Sequence, residues 1–319
     1  MPVYNAGKYV KDAIKSILNQ TFRDFEFLII NDGSTDNSKE IILSFSDNRI
    51  RYIENEKNLR LIKTLNKGIK LATGKYLARM DADDVALPNR FGKQFSFLEM
   101  NTDVIVCGSY IRYFDGAENS NIRWIKHLDH DIKKRLYSGA CFAHPSVMIR
   151  KKILDEHRLF YKEKYKHAED YKFWCDLSNH GKFYNIPEIL LNYRISESQI
   201  SSKENKSQKL CTHIIRKELI ESLFNSAPSI NKFEYPNEIK IADVMALFKT
   251  EAKLKKHNEA WYNKNKTDIT AVIMSYISSI ERAELLSLTY VFIRCVFRIG
   301  FDFVEFARLC RRSMFYGVK

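Results

Sequence analysis

The sequence predicts an α/β fold: a mostly parallel sheet flanked by helices, followed by a mainly helical C-terminal region. Three observations predict it. Strand-like and helix-like runs alternate through roughly the first hundred residues, the rhythm of βαβ units. Two of the apolar runs end in acids, at "IINDG" and "RMDADD", where the turns of such folds carry their chemistry. From about Lys203 onward strand signals fade and charged helical patterns take over, which divides the chain into 1–202 and 203–319.

The elements follow in order. "DFEFLIINDG" is a short apolar run ending in a turn signal, a buried strand. "STDNSKEIILSFS" then reads as a helix with Ser34 or Asp36 at its N-cap. "RIRYIENE" is the next strand. "NLRLIKTLNKGIKLATG" places Leu61, Leu65, Ile69 and Leu71 on one helical side and stops at Gly74. "KYLARMDADD" is a strand that ends in acid, and "LPNRFGKQFSFLEMN" is a helix with Pro88 near its first turn. "DVIVCGSYIRYF" is again a strand. After about residue 113 the rhythm loosens, as in a domain whose second half is mixed. "HAEDYKFWCDLSNHG" is a helix, and "KFYNIPEILLNYR" reads as two short strands broken at Pro187.

Composition bounds the function. A chain of 319 residues with 45% hydrophobic and 29% charged residues is a globular protein with a sizeable core. The formal net charge of +13 suits partners that carry phosphate: nucleic acid, sugar nucleotides or an anionic membrane surface. No RNP-like, zinc-finger or KH-type signature accompanies it, so nucleic acid is not expected as a partner. The 6 cysteines are scattered without a CxxC pair, which argues against a metal cage and for free thiols in a reducing cytoplasm. The first twenty residues hold no apolar signal-peptide core, and no uncharged run reaches spanning length.

The candidate chemistry lies at the two strand ends. Asp32 closes the first, and Asp81, Asp83 and Asp84 close the second. In an extended segment residues two apart face the same side, so Asp81 and Asp83 would point together. Paired carboxylates repel and ask for a cation; hard oxygen ligands suit Mg²⁺ or Mn²⁺, with phosphate oxygens completing the shell. The plain alternative is a solvated turn with capping acids ahead of Pro88.

"PVYN", "NDGSTDNS", "NKGIKLATGKYLARMDADD", "HPSVMIRK" and "HAEDYKFWCDL" occur in that order. As an ordered set over about residues 1 to 200 they resemble the family 2 glycosyltransferases, inverting enzymes with the GT-A (Rossmann-like) nucleotide-sugar-binding fold. The resemblance implies a site. Pro2 and Tyr4 would border the nucleotide, Asp32 would hydrogen-bond the base, and Ser34 would share its loop. Asp81 and Asp83 would be the DxD pair, with Asp81 towards the ribose and Asp83 on the Mn²⁺ or Mg²⁺ ion. Glu169-Asp170 would be the "ED" motif, with Asp170 as general base; helix-start acids answering the macrodipole are the competing explanation. His144 and Trp174 would stand on the acceptor side, or pack in the core.

The implied reaction moves a sugar from a nucleotide sugar, UDP-linked by preference, to a hydroxyl of a glycan or lipid-linked acceptor in surface polysaccharide biosynthesis. Inversion is one displacement, so one base and one stabilised diphosphate leaving group suffice. Two departures bear on this. Asn58-Leu59-Arg60 stands where relatives carry Asn-x-Gly, so Arg60 either reaches the nucleotide or is a solvated helix residue. Tyr193-Arg194-Ile195-Ser196 stands where relatives carry a histidine, which shifts metal coordination onto Asp83 and the nucleotide. An inactive nucleotide- or glycan-binding member of the fold is the alternative.

Beyond the resemblance, "YVFIRCVFRIGFDFVEFARLC" is apolar but interrupted by Arg294, Arg298, Asp302 and Glu305, too many charges for a spanning helix. It either packs with its charges outward or lies as a basic amphipathic helix on the inner face of the cytoplasmic membrane. At the other end, Met1 and Val3 are all that represent an apolar strand of roughly four to six residues expected ahead of "PVYN"; a trimmed first strand is expected there.

Overall fold

The computed structural model describes residues 1–114, 122–123, 126–195, 205–227, 230, 233–236 and 241–279. The chain divides into two compact units, Met1–Ile215 and a second that starts at Arg216.

In the first unit, β1 (Pro2–Val3), β2 (Phe27–Asn31) and β3 (Ile50–Glu54) form a parallel sheet in the order β1-β2-β3. The crossovers are α1 (Val10–Leu18) and α2 (Ser38–Leu43). Val10, Ala13, Ile14 and Ile17 face the core, the i, i+3, i+4, i+7 spacing of an amphipathic helix. Asp36 accepts the Ser38 amide at 3.0 Å, so it anchors the start of α2 as an Asx turn, while the Ser34 hydroxyl accepts from Asn5 instead. In α3 (Leu61–Leu71) the buried positions are Ile62, Thr64, Leu65 and Ile69; the stripe is rotated off Leu61 and Leu71, which are only half covered.

The second sheet is mixed. It comprises β4 (Tyr76–Ala78), β5 (Val85–Ala86), β6 (Val104–Phe114), β7 (Ile122–Arg123), β8 (Met148–Arg150) and β9 (Lys182–Arg194). The order is β4-β8-β6-β9-β5, with β7 paired to β6; β6 and β9 are parallel and the other pairs antiparallel. Its helices are α4 (Arg90–Met100), α5 (Asp129–Leu136), α6 (Lys151–Glu156) and α7 (Glu169–Leu177). The expected break at Pro187 is corrected. β9 runs through it as one strand, and the pairing steps from Ser109↔Ile186 to Tyr110↔Ile189. A bulge thus absorbs Pro187, whose missing N–H is not asked to enter the ladder.

α8 (Asn205–Asn225), α9 (Ile241–His257) and α10 (Glu259–Ser279) complete the described elements. In the second unit α9 and α10 pack together around Leu247, Phe248, Tyr262 and Ile273, and the Tyr262 hydroxyl donates to Glu251 at 2.9 Å. Among the described residues no helix is long and apolar enough to cross a membrane. Arg294, Arg298, Asp302 and Glu305 lie outside the described residues, as do Cys295 and Cys310. Cys107, Cys141, Cys175 and Cys211 are buried free thiols.

Candidate active site

The first part of the site is two loops laced together. β1 turns outward at Asn5, which holds a left-handed φ of 49°. The Asn5 amide donates to Ser34 Oγ at 3.1 Å, and the Thr35 amide donates back to Asn5 Oδ1 at 2.8 Å. The Ala6 amide reaches Ser38 Oγ at 2.9 Å and the Gly7 amide reaches Asp36 Oδ2 at 2.9 Å. Tyr4, 48% exposed, projects from this junction. The sequence fixes the junction locally: Gly33 sits at φ 69°, and a Cβ there would lie 2.6 Å from the Lys57 carbonyl carbon.

Asp32 itself is 3% exposed. Its Oδ1 accepts from Asn55 Nδ2 at 2.7 Å and from the Leu59 amide at 2.9 Å. Lys67 in turn holds Asn55 Oδ1 at 2.6 Å. Arg60 follows directly at the start of α3, with φ 71°. The Asp32 carboxylate is thereby locked at the carboxyl end of β2, beside the loop that carries Tyr4.

The second part is acidic. Asp81, Asp83 and Asp84 bring carboxylate oxygens within 4.8 Å of one another. The reason differs from the sequence expectation. β4 ends at Ala78, and residues 81–84 form a turn, not a strand with alternating faces. The turn is what folds Asp84 in beside the expected pair. Asp84 Oδ1 accepts the Arg194 amide at 2.8 Å, and Oδ2 is buried with no partner. Arg194 also donates from Nε to the Asp83 carbonyl at 2.8 Å. Burial first, and then the Asp81 charge, raise Asp83 to about 6. The same two causes hold Asp84 well above the usual carboxylate range. Crowded, partly unpartnered carboxylates of this kind fit a hard divalent cation, which would replace mutual repulsion with attraction.

Arg79 joins this cluster to the third part. It is 5% exposed and ion-paired to Asp81. Buried Arg90 secures the strand end by donating to the Arg79 carbonyl at 2.6 Å and the Val147 carbonyl at 3.3 Å. The Arg79 guanidinium lies within electrostatic reach of Asp81, Asp84, Tyr161, His144, Glu169 and Asp170. It is the central cation of the site, and sequence reasoning passed over it. The available signal was an arginine set two residues before an acid inside an apolar run.

Glu169 and Asp170 open α7. Burial, then the neighbouring Asp170 charge, lift Glu169 to about 7. Burial also raises Asp170, against the pull of the Tyr171 amide, which donates to its Oδ1 at 2.7 Å. His144 Nε2 and the Tyr161 hydroxyl share a 2.7 Å hydrogen bond. Burial and Arg79 keep His144 well below its ordinary pKa, hence neutral. Trp174 is fully buried, its ring edge-on to Phe142 and 5.8 Å from His144. It packs in the core behind His144 and its ring does not reach the surface, in line with the core alternative of the two readings given for it.

The comparisons with known proteins come down on one family. The description "Glycosyl transferase family 2" fits residues 1–158. An uncharacterized glycosyltransferase of Haemophilus influenzae is 38% identical over 234 residues, covering 70% of this chain and 72% of that one. The chain belongs to glycosyltransferase family 2. The O-antigen biosynthesis glycosyltransferase WbnJ of Escherichia coli is 36% identical, covering 61% of this chain and 78% of WbnJ. Among solved structures, S. aureus TarS in complex with UDP-GlcNAc superposes with a TM-score of 0.55 over 87% of this chain and 89% of that chain, at 16% identity. The glycosyltransferase thus has a GT-A fold, with a parallel sheet, a mixed sheet, flanking helices and C-terminal helices.

Proposed function

We propose that this glycosyltransferase is a divalent-metal-dependent, inverting enzyme that moves a sugar from a UDP-sugar to a hydroxyl of a glycan or lipid-linked acceptor. The observation that carries the proposal is the convergence of Asp81, Asp83 and Asp84, with Arg79 linking them electrostatically to Glu169 and Asp170. WbnJ supports a surface glycan as the setting, and the UDP-GlcNAc in TarS supports a uridine donor.

In this account Pro2, Tyr4, Asp32 and Ser34 hold the nucleoside. Asp32 is already half satisfied by Asn55 and Leu59, which orients its carboxylate for one further donor. Asp83 and Asp81 hold Mn²⁺ or Mg²⁺, and Asp84 contributes charge from the turn. The ion, when bound, offsets the charge that grows on the diphosphate as it leaves. Arg79 adds a fixed positive charge that needs no reorganisation.

Asp170, with Glu169 beside it, takes the proton from the acceptor hydroxyl as that oxygen attacks the anomeric carbon. Burial raises the Asp170 carboxyl, and a carboxylate of raised pKa is a stronger base than a free one. His144, neutral and tied to Tyr161, borders the acceptor side. The C-terminal third of the chain is assigned acceptor or membrane-surface contact, and the enzyme works at the cytoplasmic face.

A panel of nucleotide sugars, read as released nucleoside diphosphate, tests the proposal. Turnover with at least one UDP-sugar, dependent on Mn²⁺ or Mg²⁺, is expected; release that persists unchanged in excess chelator would overturn the metal role.

A further inference from the structure

Arg60 holds a backbone conformation that belongs to glycine. At the N-cap of α3 its φ is 71° and its ψ is 159°. Positive φ with an extended ψ is a region that side chains with a Cβ enter only under strain. Nor does Arg60 serve as a cap, since its side chain makes no capping hydrogen bond.

The neighbours impose this conformation. The Leu59 amide is tied to Asp32 Oδ1 at 2.9 Å, and the Arg60 amide to Asn58 Oδ1 at 2.7 Å. The Arg60 carbonyl accepts the Thr64 amide at 3.2 Å as α3 begins. None of these bonds uses the Arg60 side chain. The guanidinium belongs to an exposed residue, and among the described residues it has no hydrogen bond, ion pair or ring contact. An arginine that strains the backbone and adds no contact to the fold is explained by a ligand, and it follows directly on the residue that clamps Asp32.

Asp32 narrows the chemistry of that ligand. Its Oδ1 already takes two donors, Asn55 Nδ2 and the Leu59 amide. Lys67 holds Asn55 Oδ1 at 2.6 Å, which fixes the way the Asn55 amide faces. Oδ2 is left to accept from a ligand, with the Arg60 donors on the adjoining loop. One free acceptor beside a donor fork matches an imide edge, an N–H flanked by carbonyls, as uracil presents. Guanine presents an N–H and an amino group side by side, a pair that asks for both carboxylate oxygens. Cytosine turns a ring-nitrogen acceptor towards the carboxylate and leaves both acceptors unpaired.

We propose that Arg60 is a base-reading residue: Asp32 Oδ2 accepts the uracil N–H, and the Arg60 guanidinium donates to a neighbouring uracil carbonyl. The contact offsets the strain at its backbone. This role rests on the nucleotide-sugar reading of the site and adds to it the residue that selects the base.

Arg60→Gly and Arg60→Ala separate the two halves of the claim, because both remove the guanidinium and only glycine relieves the backbone. In thermal unfolding without nucleotide, Arg60→Gly should melt at least about 2 °C above Arg60→Ala. In calorimetry with Mn²⁺, both variants should bind UDP at least about tenfold more weakly than the unmodified protein, and to the same extent. Inorganic pyrophosphate, which carries no base, should bind all three proteins within about twofold. The unmodified protein should bind GDP at least about tenfold more weakly than UDP. Unchanged UDP affinity in the variants would overturn the proposal. Equal losses for UDP and pyrophosphate would overturn it too, because the guanidinium would then be on the phosphates. Arg60→Gly melting no higher than Arg60→Ala would remove the strain, and GDP binding as tight as UDP would remove the selection of uracil. Failure of the unmodified protein to bind UDP would instead overturn the nucleotide-sugar reading, and the role of Arg60 with it.

Discussion

Replacing Glu169 by Gln should stabilise the protein at high pH and leave it unchanged at low pH. Glu169 is 8% exposed and sits against the Asp170 charge. Its carboxyl moves from 4.5 to about 7 on folding, burial being the larger cause. The folded state therefore binds the proton more tightly than the unfolded state. The stabilising contribution is complete below pH 4.5, declines as pH rises, and is lost above about 7. At about 1.4 kcal/mol for each pH unit between the two values, the loss amounts to about 3 kcal/mol. Gln keeps the shape and the neutral charge at every pH, so it escapes this loss. Thermal unfolding of both proteins without metal or nucleotide, from pH 4 to pH 8.5, reads the effect directly. The Tm difference should be near zero at pH 4 and grow to roughly 6 °C in favour of Gln at pH 8.5. A difference that stays flat across the range would refute the claim that Glu169 is strained by its burial and by Asp170.

Further outcomes follow from the same geometry. Asp170→Asn should keep UDP affinity within about twofold while transfer falls by at least about a hundredfold, in calorimetry and a coupled release assay; near-normal transfer would remove Asp170 as the base. Gly33→Ala should cost about 2 kcal/mol or more by chemical denaturation, because its φ of 69° and the Lys57 backbone at 2.6 Å both exclude a Cβ. Arg79→Met should raise the pH midpoint of the acidic limb of the activity profile, since the missing guanidinium no longer favours the ionised Asp170 and Glu169; an unmoved limb would restrict Arg79 to holding Asp81.

Much of the frame is legible in the chain because local pattern and global fold agree there. β2, β3 and the helices between them follow from short apolar runs punctuated by turn residues, and α7 from the spacing of Tyr171, Trp174 and Leu177. Pro187 misleads because its effect depends on a partner. β6 is long enough to continue pairing past a bulge, and nothing near Pro187 announces that. The acids at 81, 83 and 84 converge for a reason the spacing does not contain, a turn in place of an extended strand. What Arg79 gathers around it is hidden for a related cause. Its neighbours Tyr161, His144 and Asp170 come from segments 65 to 91 residues away, and only the fold collects them around one guanidinium. Trp174 could be read either as core or as site, and its full burial assigns it to the core.

The central claim is that the Asp81–Asp83–Asp84 turn holds a divalent ion against the donor's diphosphate. Calorimetric titration of UDP in the presence and absence of Mn²⁺, on the unmodified protein and on Asp83→Ala, tests it most directly. Affinity for UDP should rise by at least about tenfold with Mn²⁺ in the unmodified protein and show no such gain in Asp83→Ala. Equal UDP affinity with and without Mn²⁺ in the unmodified protein would contradict the account.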